Sequence, residues 1–263
     1  MRVTVVGAGL AGCEAAWQLA CRGIPVTLLE MKPAAFSPAH RYAGFAELVC
    51  SNSLKAQRLD SAAGLLKEEM RRLGSVCLMA AQRHRVPAGG ALAVERVGFS
   101  NEVTRAIKSH PLITVKEQTV EEIPEGTVIL ATGPLTQGKL AQSIGELVEQ
   151  QRLAFFDAAA PIVSGESVDT SIAFFASRYG KGDGEDYLNC PMNKEEYEAF
   201  YQALVEGERA PLSEEDQKQF AVYEGCMPIE VMARRGKDTI RFGPMKPVGL
   251  KDPRTGHRPW AVL

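Results

Sequence analysis

A glycine-rich turn between two short apolar strands constrains the fold of this chain more than any other feature. The apolar run Val3–Val6 leads into the pattern G-x-G-x-x-G at residues 7–12, and apolar residues then recur at helical spacing until Gly23. A second apolar run, 26–29, is followed directly by Glu30. Strand, tight turn, helix and strand in this order predict a parallel βαβ unit.

The spacing of the glycines is that of a dinucleotide-binding fingerprint. The first glycine permits the tight turn, the second lets the backbone approach a diphosphate, and the third allows the helix to pack closely on the strand. An acid closing the second strand would accept the adenosine ribose hydroxyls and would disfavour a 2′-phosphate, which leaves FAD and NAD as candidates. The residues predicted to contact the cofactor are Gly7, Ala8, Gly9, Leu10, Ala11, Gly12 and Glu30.

Further strands predict how this unit is extended. Apolar runs at 112–115 and 127–130 are followed by Ala131-Thr132-Gly133-Pro134, and a parallel strand ending in such a turn is typical of a doubly wound sheet. This turn, and a fingerprint at the extreme N-terminus, resemble the two-dinucleotide-binding flavoproteins, which favours FAD and adds Thr132 and Gly133 to the cofactor residues. Helices are predicted at 62–72, 97–108 and 139–151.

The predicted fold class is therefore α/β. We expect a Rossmann-like FAD-binding domain with a parallel sheet over residues 1–151 and a smaller α+β insertion or substrate domain over 152–263, where the composition changes. In the helix at 62–72, Leu65, Leu66 and Met70 are predicted, with Leu73, to form the apolar side.

Composition narrows the class of protein. Apolar residues make up 45% of the 263 residues and charged residues 24%, which is ordinary globular composition. No run approaches the roughly 18 apolar residues of a membrane span, so we expect a cytoplasmic protein without a membrane partner. The six cysteines show no C-x-x-C spacing, so neither a metal site nor a disulfide framework is expected.

Charge is distributed unevenly along the chain despite a net charge of −2. The segment 193–224 carries nine acidic and three basic residues. The segment Met232–Trp260, called the basic block below, carries eight basic and two acidic residues, a net charge of +6. Such a block attracts phosphates, although a solvated face is the simpler interpretation of charge alone.

Several longer strings carry a family resemblance. The chain resembles the folate- and FAD-dependent tRNA (uracil-5-)-methyltransferases over essentially its whole length. Besides the fingerprint, the strings that carry this resemblance are Ala46–Leu54, Arg85–Val94, Ser177–Gly182, Tyr187–Met192, Glu224–Glu230 and Arg241–Leu250.

The resemblance implies formation of 5-methyluridine in the T-loop of tRNA. The carbon would come from methylenetetrahydrofolate, and NADH or NADPH would supply electrons through FAD. The family's two functional cysteines fall on Cys226, expected to be the nucleophile at uracil C6, and Cys50, expected to be the general base or the thiol beside the flavin, although these roles are interchangeable. Cys13 and Cys21 are expected to be packing residues. Asn52 joins the cofactor residues, and the basic block would supply the tRNA-binding residues Arg234, Arg235, Lys237, Arg241 and Lys246.

One departure from the family remains. Its members continue considerably further, whereas this chain ends at the apolar run 259–263, which we expect to lack a neighbouring strand. We therefore expect a fragment whose flavin site is incomplete. The alternatives are the same chemistry on ribosomal RNA uridine, the larger relative that modifies wobble uridine, and a flavin-free fragment that only binds RNA. The strings around Cys50 and Cys226 argue against the wobble-uridine enzyme.

Overall fold

The computed structural model describes residues 2–148, 163–180, 184–208 and 227–263. The chain forms two compact units, one comprising Met1–Val86 and Ala91–Phe155, the other comprising Pro87–Gly90 and Phe156–Leu263.

The first unit is built on a four-stranded parallel sheet with the order β6-β2-β1-β7. Its strands are β1 (Val3–Val6), β2 (Val26–Glu30), β6 (Ile113–Glu117) and β7 (Val128–Leu130). Pairing of β1 with both β2 and β7 places β1 centrally, which explains why Val3, Val5 and Val6 are almost completely buried. The predicted α/β class with a parallel sheet is confirmed.

Among the described residues of this unit, five helices accompany the sheet: α1 (Leu10–Cys21), α2 (Ala62–Arg72), α3 (Val76–Arg83), α4 (Arg96–Ser109) and α5 (Gly138–Leu147). The fully buried Ala16, Phe99 and Val103 belong to the main core together with Leu28. A second, antiparallel sheet has the order β3-β5-β4 and contains β3 (Ser53–Ala56), β4 (Arg85–Val86) and β5 (Ala91–Val94). The sequence did not predict this sheet or α3.

Helix α2 has the predicted bounds, but its leucines do not form a buried face. Leu65, Leu66 and Leu73 are all at least half exposed, and Gly64 is the buried residue of the helix. A Cβ atom on Gly64 would lie 1.8 Å from the carbonyl oxygen of Arg58, so close backbone contact determines which side faces inward. Met70 packs against the main core as predicted, whereas the prediction was wrong for the three leucines.

In the described part of the second unit, the strands form two short antiparallel pairs, β8 (Phe174–Phe175) with β9 (Leu188–Asn189) and β10 (Pro191–Met192) with β11 (Ala261–Val262). Helix α6 (Lys194–Glu206) begins with a capping box between Asn193 and Glu196. Two further helices span Ile229–Arg234 and Lys237–Phe242. The core of this unit is formed by Tyr197, Ala233, Ile240, Met245 and Ala261.

The run at 259–263 does have a strand neighbour, contrary to expectation. Ala261 and Val262 are buried and pair with β10. Cys190 and Leu263 exchange two backbone hydrogen bonds, of 2.8 and 3.0 Å. The prediction failed because β10 has only two residues, too few to give a periodic signal. In the part of the chain that the structure describes, no helix is long and apolar enough to cross a membrane.

Candidate functional site

The glycine turn is held by backbone contacts that exclude side chains at two positions. Gly7 follows β1 with φ of +97°, and a Cβ atom there would lie 2.6 Å from the Ala131 carbonyl oxygen. A Cβ atom on Gly12 would lie 1.8 Å from the Gly7 carbonyl oxygen. Because neither overlap can be relieved by moving a flexible side chain, both positions require glycine.

Gly9 is different, since a Cβ atom there would meet nothing within 4 Å. It is the N-cap of α1, with φ of −71° and ψ of −171°, and this conformation is open to any residue. No side chain caps α1 and its first turn contains no acid. The start of this helix therefore offers backbone N–H groups beside open space, which suits an anion.

Glu30 joins β2 to the glycine turn. It is 6% exposed, and its Oε2 accepts a hydrogen bond of 2.6 Å from the backbone N–H of Ala8. Its Oε1 accepts a bond of 3.0 Å from the N–H of Lys32. Each carboxylate oxygen has a further lone pair, so the group that positions the turn can also accept ribose hydroxyls.

Lys32 and Glu47 form a buried charged pair that the sequence analysis did not single out. The Lys32 side chain is 4% exposed, and its Nζ donates to the carbonyl oxygens of Gly44 and Tyr42 and lies 3.8 Å from Glu47 Oε2. Glu47 Oε1 accepts two backbone hydrogen bonds, from Arg41 and Tyr42. The pair thus fixes the segment 41–47, and nothing in its irregular sequence indicated the burial of Lys32.

This segment contacts the glycine turn directly. The N–H of Ala46 donates a hydrogen bond of 2.9 Å to the carbonyl oxygen of Ala8. Ala46 has φ of +50° and is fully buried. The segment that leads into Cys50 is therefore tied to the same backbone that forms the turn.

The carboxyl end of β7 lies next to the glycine turn. Ala131 donates a backbone hydrogen bond of 2.8 Å to Val6, and the hydroxyls of Thr132 and Thr136 lie 2.6 Å apart. Gly133 has φ of +77° and open space around its Cβ position. The predicted cofactor residues Thr132 and Gly133 therefore lie at the carboxyl ends of the parallel strands, as the glycine turn does.

Cys50 and Asn52 lie between the segment 41–47 and β3. Cys50 is exposed, and its carbonyl oxygen accepts a hydrogen bond of 3.1 Å from Arg96. The side-chain amide of Asn52 donates a hydrogen bond of 3.0 Å to the backbone carbonyl oxygen of Val94. In return, the N–H of Val94 donates a hydrogen bond of 3.0 Å to the backbone carbonyl oxygen of Asn52. Asn52 therefore anchors this segment to β5. The other predicted cysteine, Cys226, lies outside the described residues.

Three other cysteines differ in burial, which separates packing residues from exposed thiols. Cys13 is buried and donates to the carbonyl oxygen of Ala8, and burial raises its pKa to about 12. Burial likewise raises the pKa of Cys77 well above its usual value. Cys21, in contrast, is exposed at the end of α1, so the expectation that it packs was wrong.

The predicted RNA-binding residues have different surroundings. Lys237 Nζ lies 3.6 Å from a Glu198 carboxylate oxygen, and Arg234 reaches the carbonyl oxygen of Val205 at 3.4 Å. Arg241 lies between two aromatic rings and is only 17% exposed at its side chain. Arg235 and Lys246 are exposed. Counting charges did not reveal that some of these cations already have partners within the protein.

Among the described residues, no group of three or more His, Cys, Asp or Glu side chains could hold a metal ion.

Comparison with known proteins supports the family resemblance. The chain is 58% identical over 262 residues to the methylenetetrahydrofolate–tRNA-(uracil-5-)-methyltransferase TrmFO of Symbiobacterium thermophilum, covering 99% of this chain and 59% of that protein. It is 60% identical over 263 residues to the TrmFO of Geotalea uraniireducens, covering all of this chain and 60% of that protein. The chain spans about 59% of the length of the curated relatives it matches.

A family model described as glucose inhibited division protein A matches residues 2–261, nearly the entire chain. The chain belongs to the glucose inhibited division protein A family.

Proposed function

We propose that this chain methylates uridine at C5 in the T-loop of tRNA, with carbon from methylenetetrahydrofolate and electrons from reduced FAD, and that it binds the ADP half of FAD and carries residues of the tRNA site. One observation carries the proposal. No side chain caps the start of α1 at Gly9, where there is open space, and the buried Glu30 binds the preceding residue, Ala8. The chain that has this site is 58–60% identical to relatives named for that activity. Residues 1–151 would form the cofactor domain and 152–263 the substrate domain. A tRNA substrate places the protein in the cytoplasm.

The residues around the glycine turn fit FAD. Backbone N–H groups at the start of α1 would bind the diphosphate, for which the absent side chain of Gly9 leaves room. Glu30 would accept the ribose hydroxyls through lone pairs that Ala8 and Lys32 do not use. Thr132 and Gly133 would line the same edge of the sheet. FAD held there would supply the transferred carbon with reducing equivalents that come from NADH or NADPH.

The chain's own chemistry would centre on its cysteines. Uracil C5 is a weak nucleophile until a thiolate adds to C6, and we assign this addition to Cys226. The enolate would attack the methylene carbon of methylenetetrahydrofolate, so that a carbon–carbon bond forms at C5 while one of the two carbon–nitrogen bonds of the methylene bridge breaks. A base, assigned to Cys50, would then remove the C5 proton as the remaining carbon–nitrogen bond breaks and tetrahydrofolate leaves, which gives an exocyclic methylene group on C5. A hydride equivalent, which reduced FAD would supply, would convert this group to methyl as the sulfur–C6 bond breaks and releases the thiolate. Exchange of the two cysteine roles is the alternative.

Cys50 is suitably placed to act on a ligand. Its side chain is exposed, whereas its backbone is held by Arg96 and its segment is tied to Ala8 through Ala46. A thiol that is accessible on an anchored backbone can reach a substrate without large rearrangement. The buried Cys13 and Cys77 lack this access.

The test is incubation of the chain with FAD, methylenetetrahydrofolate, NADPH and unmodified tRNA, followed by nucleoside analysis. We expect 5-methyluridine, lost in Cys226→Ala and in Cys50→Ser and retained in Cys21→Ser, which changes another exposed thiol. A chain that binds FAD but forms no 5-methyluridine would refute the proposal. In a parallel incubation with unmodified ribosomal RNA in place of tRNA, product in the ribosomal RNA but not in the tRNA would favour the alternative substrate.

A further inference from the structure

The second unit presents two aromatic rings arranged around one guanidinium group. Arg241 lies in the helix Lys237–Phe242, with its guanidinium carbon 3.7 Å from the centroid of the Trp260 ring and 4.6 Å from that of Phe242. Its Nε donates a hydrogen bond of 3.0 Å to the Trp260 carbonyl oxygen. Arg241 therefore fixes the two rings relative to each other.

Neither ring contributes to the core of its unit. That core is built on Tyr197, Ile240 and Met245 and contains neither Phe242 nor Trp260. Phe242 is 62% exposed and Trp260 is 37% exposed. An exposed phenylalanine beside a second exposed ring leaves aromatic surface that folding of the described residues does not cover.

Lysines lie near the rings in space or in sequence. Lys194 Nζ lies 5.8 Å from the Trp260 ring centroid, and the exposed Lys246 follows Phe242 by four residues in the chain. One acid, Asp238, has its Oδ1 3.9 Å from Arg241 Nη1. Both rings belong to the basic block, whose net charge is +6, so the surface complements a polyanion that also carries planar groups.

We propose that Phe242 and Trp260 form a stacking platform for an unpaired RNA base, with Arg241 as the residue that positions them rather than a phosphate ligand. Bases in single strands and loops expose the faces that aromatic side chains bind, whereas a duplex keeps them stacked. Lys194 and Lys246 would contact the neighbouring phosphates. This inference rests on the proposed RNA substrate and goes further by naming the form of RNA that is bound and the groups that bind it.

Fluorescence anisotropy with a ten-nucleotide oligouridylate and an RNA duplex of the same charge tests the platform. We expect the single strand to bind more tightly than the duplex. Phe242→Leu and Trp260→Leu should each weaken single-strand binding about five-fold or more, because one base stacked on an aromatic ring contributes roughly that much or more to affinity. The dependence on salt should not change, because no phosphate contact is lost.

Phe175→Leu is the matched control, since Phe175 is 59% exposed in β8 of the same unit. It should bind oligouridylate like the parent chain. If either platform variant fails to fold, the chain carrying Trp17→Phe gives a second readout, because Trp260 is then its only tryptophan. Its fluorescence should be quenched by oligouridylate.

Four outcomes would overturn the proposal. The first three are no binding of oligouridylate by the parent chain, equal loss of single-strand and duplex binding in the variants, and unchanged Trp260 fluorescence. The fourth is a folate that binds the platform in place of the oligonucleotide. FAD binding is measured separately and should be the same in all variants. Loss of 5-methyluridine formation with intact stacking would therefore refute the proposed function and leave the platform standing.

Discussion

The glycine turn at residues 7–12 and the basic block at 232–260 hold their geometry by different means. In the turn, backbone atoms of Gly7, Gly12 and Ala131 pack so closely that side chains are excluded. In the basic block, side chains determine the arrangement, since Arg241 is held between two rings and Lys237 faces Glu198. Adding a methyl group to a glycine of the turn should therefore destabilise the turn. In the basic block, changing the shape of a side chain should be the destabilising change.

The largest expected effect concerns the packing beneath the turn. Cys13 donates to the Ala8 carbonyl oxygen, and burial raises its pKa to about 12, whereas Cys21 is exposed at the other end of the same helix. We expect iodoacetamide to alkylate Cys13 by orders of magnitude more slowly than Cys21, because Cys13 is buried and burial disfavours the thiolate, which is the reactive form. Site-resolved mass spectrometry measures both rates. Comparable rates in the folded protein would show that the turn is not closely packed.

Gly12→Ala tests the backbone contact itself. The added Cβ atom would lie 1.8 Å from the Gly7 carbonyl oxygen, so we expect the free energy of unfolding of the first unit to fall by about 3 kcal/mol or more. Urea unfolding followed by circular dichroism measures the change. Lys246→Ala, at an exposed position of the basic block, should change stability by less than about 0.5 kcal/mol. Equal stability of both variants would contradict the proposed role of close backbone packing.

Arg241→Lys separates charge from shape in the basic block. Lysine keeps the positive charge but loses the planar group that stacks on Trp260 and the Nε hydrogen bond to its carbonyl oxygen. We expect the second unit to lose about 1–2 kcal/mol of stability. Urea unfolding monitored by Trp260 fluorescence, in the chain carrying Trp17→Phe, provides the measurement. Full stability in Arg241→Lys would show that this arginine acts only as a charge.

The same contrast explains what the sequence predicted. The pattern of glycines and apolar residues identified β1, α1, β2 and the closing Glu30 because neighbouring backbone dictates their geometry. The charge pattern of the basic block identified its basic residues but not their contacts. Arg241 contacts Trp260 and Lys237 contacts Glu198, and these partners are distant in sequence. Contacts between remote residues leave no local pattern.

Other features were missed for related reasons. Helix α3 begins at Val76, and its N-cap is Ser75, whose side chain accepts a hydrogen bond from the N–H of Leu78. An N-cap residue directly after Gly74 was a usable signal for the start of a helix. Strand β3 contains Lys55 with φ of +66°, a distortion that its polar sequence does not indicate. The burial of Lys32 had no local signal, because it depends on carbonyl groups ten and twelve residues further along the chain.

FAD titration of the parent chain and of Gly9→Ser tests the central claim most directly. Serine would supply the cap that α1 lacks and would fill the space proposed for the diphosphate, so stability should hold while FAD affinity falls at least about tenfold. Gly165→Ser makes the same change at another glycine with open space and should bind FAD normally. Quenching of flavin fluorescence gives the affinities. Equal FAD affinity in Gly9→Ser and the parent chain, or no FAD binding by the parent chain, would contradict the account.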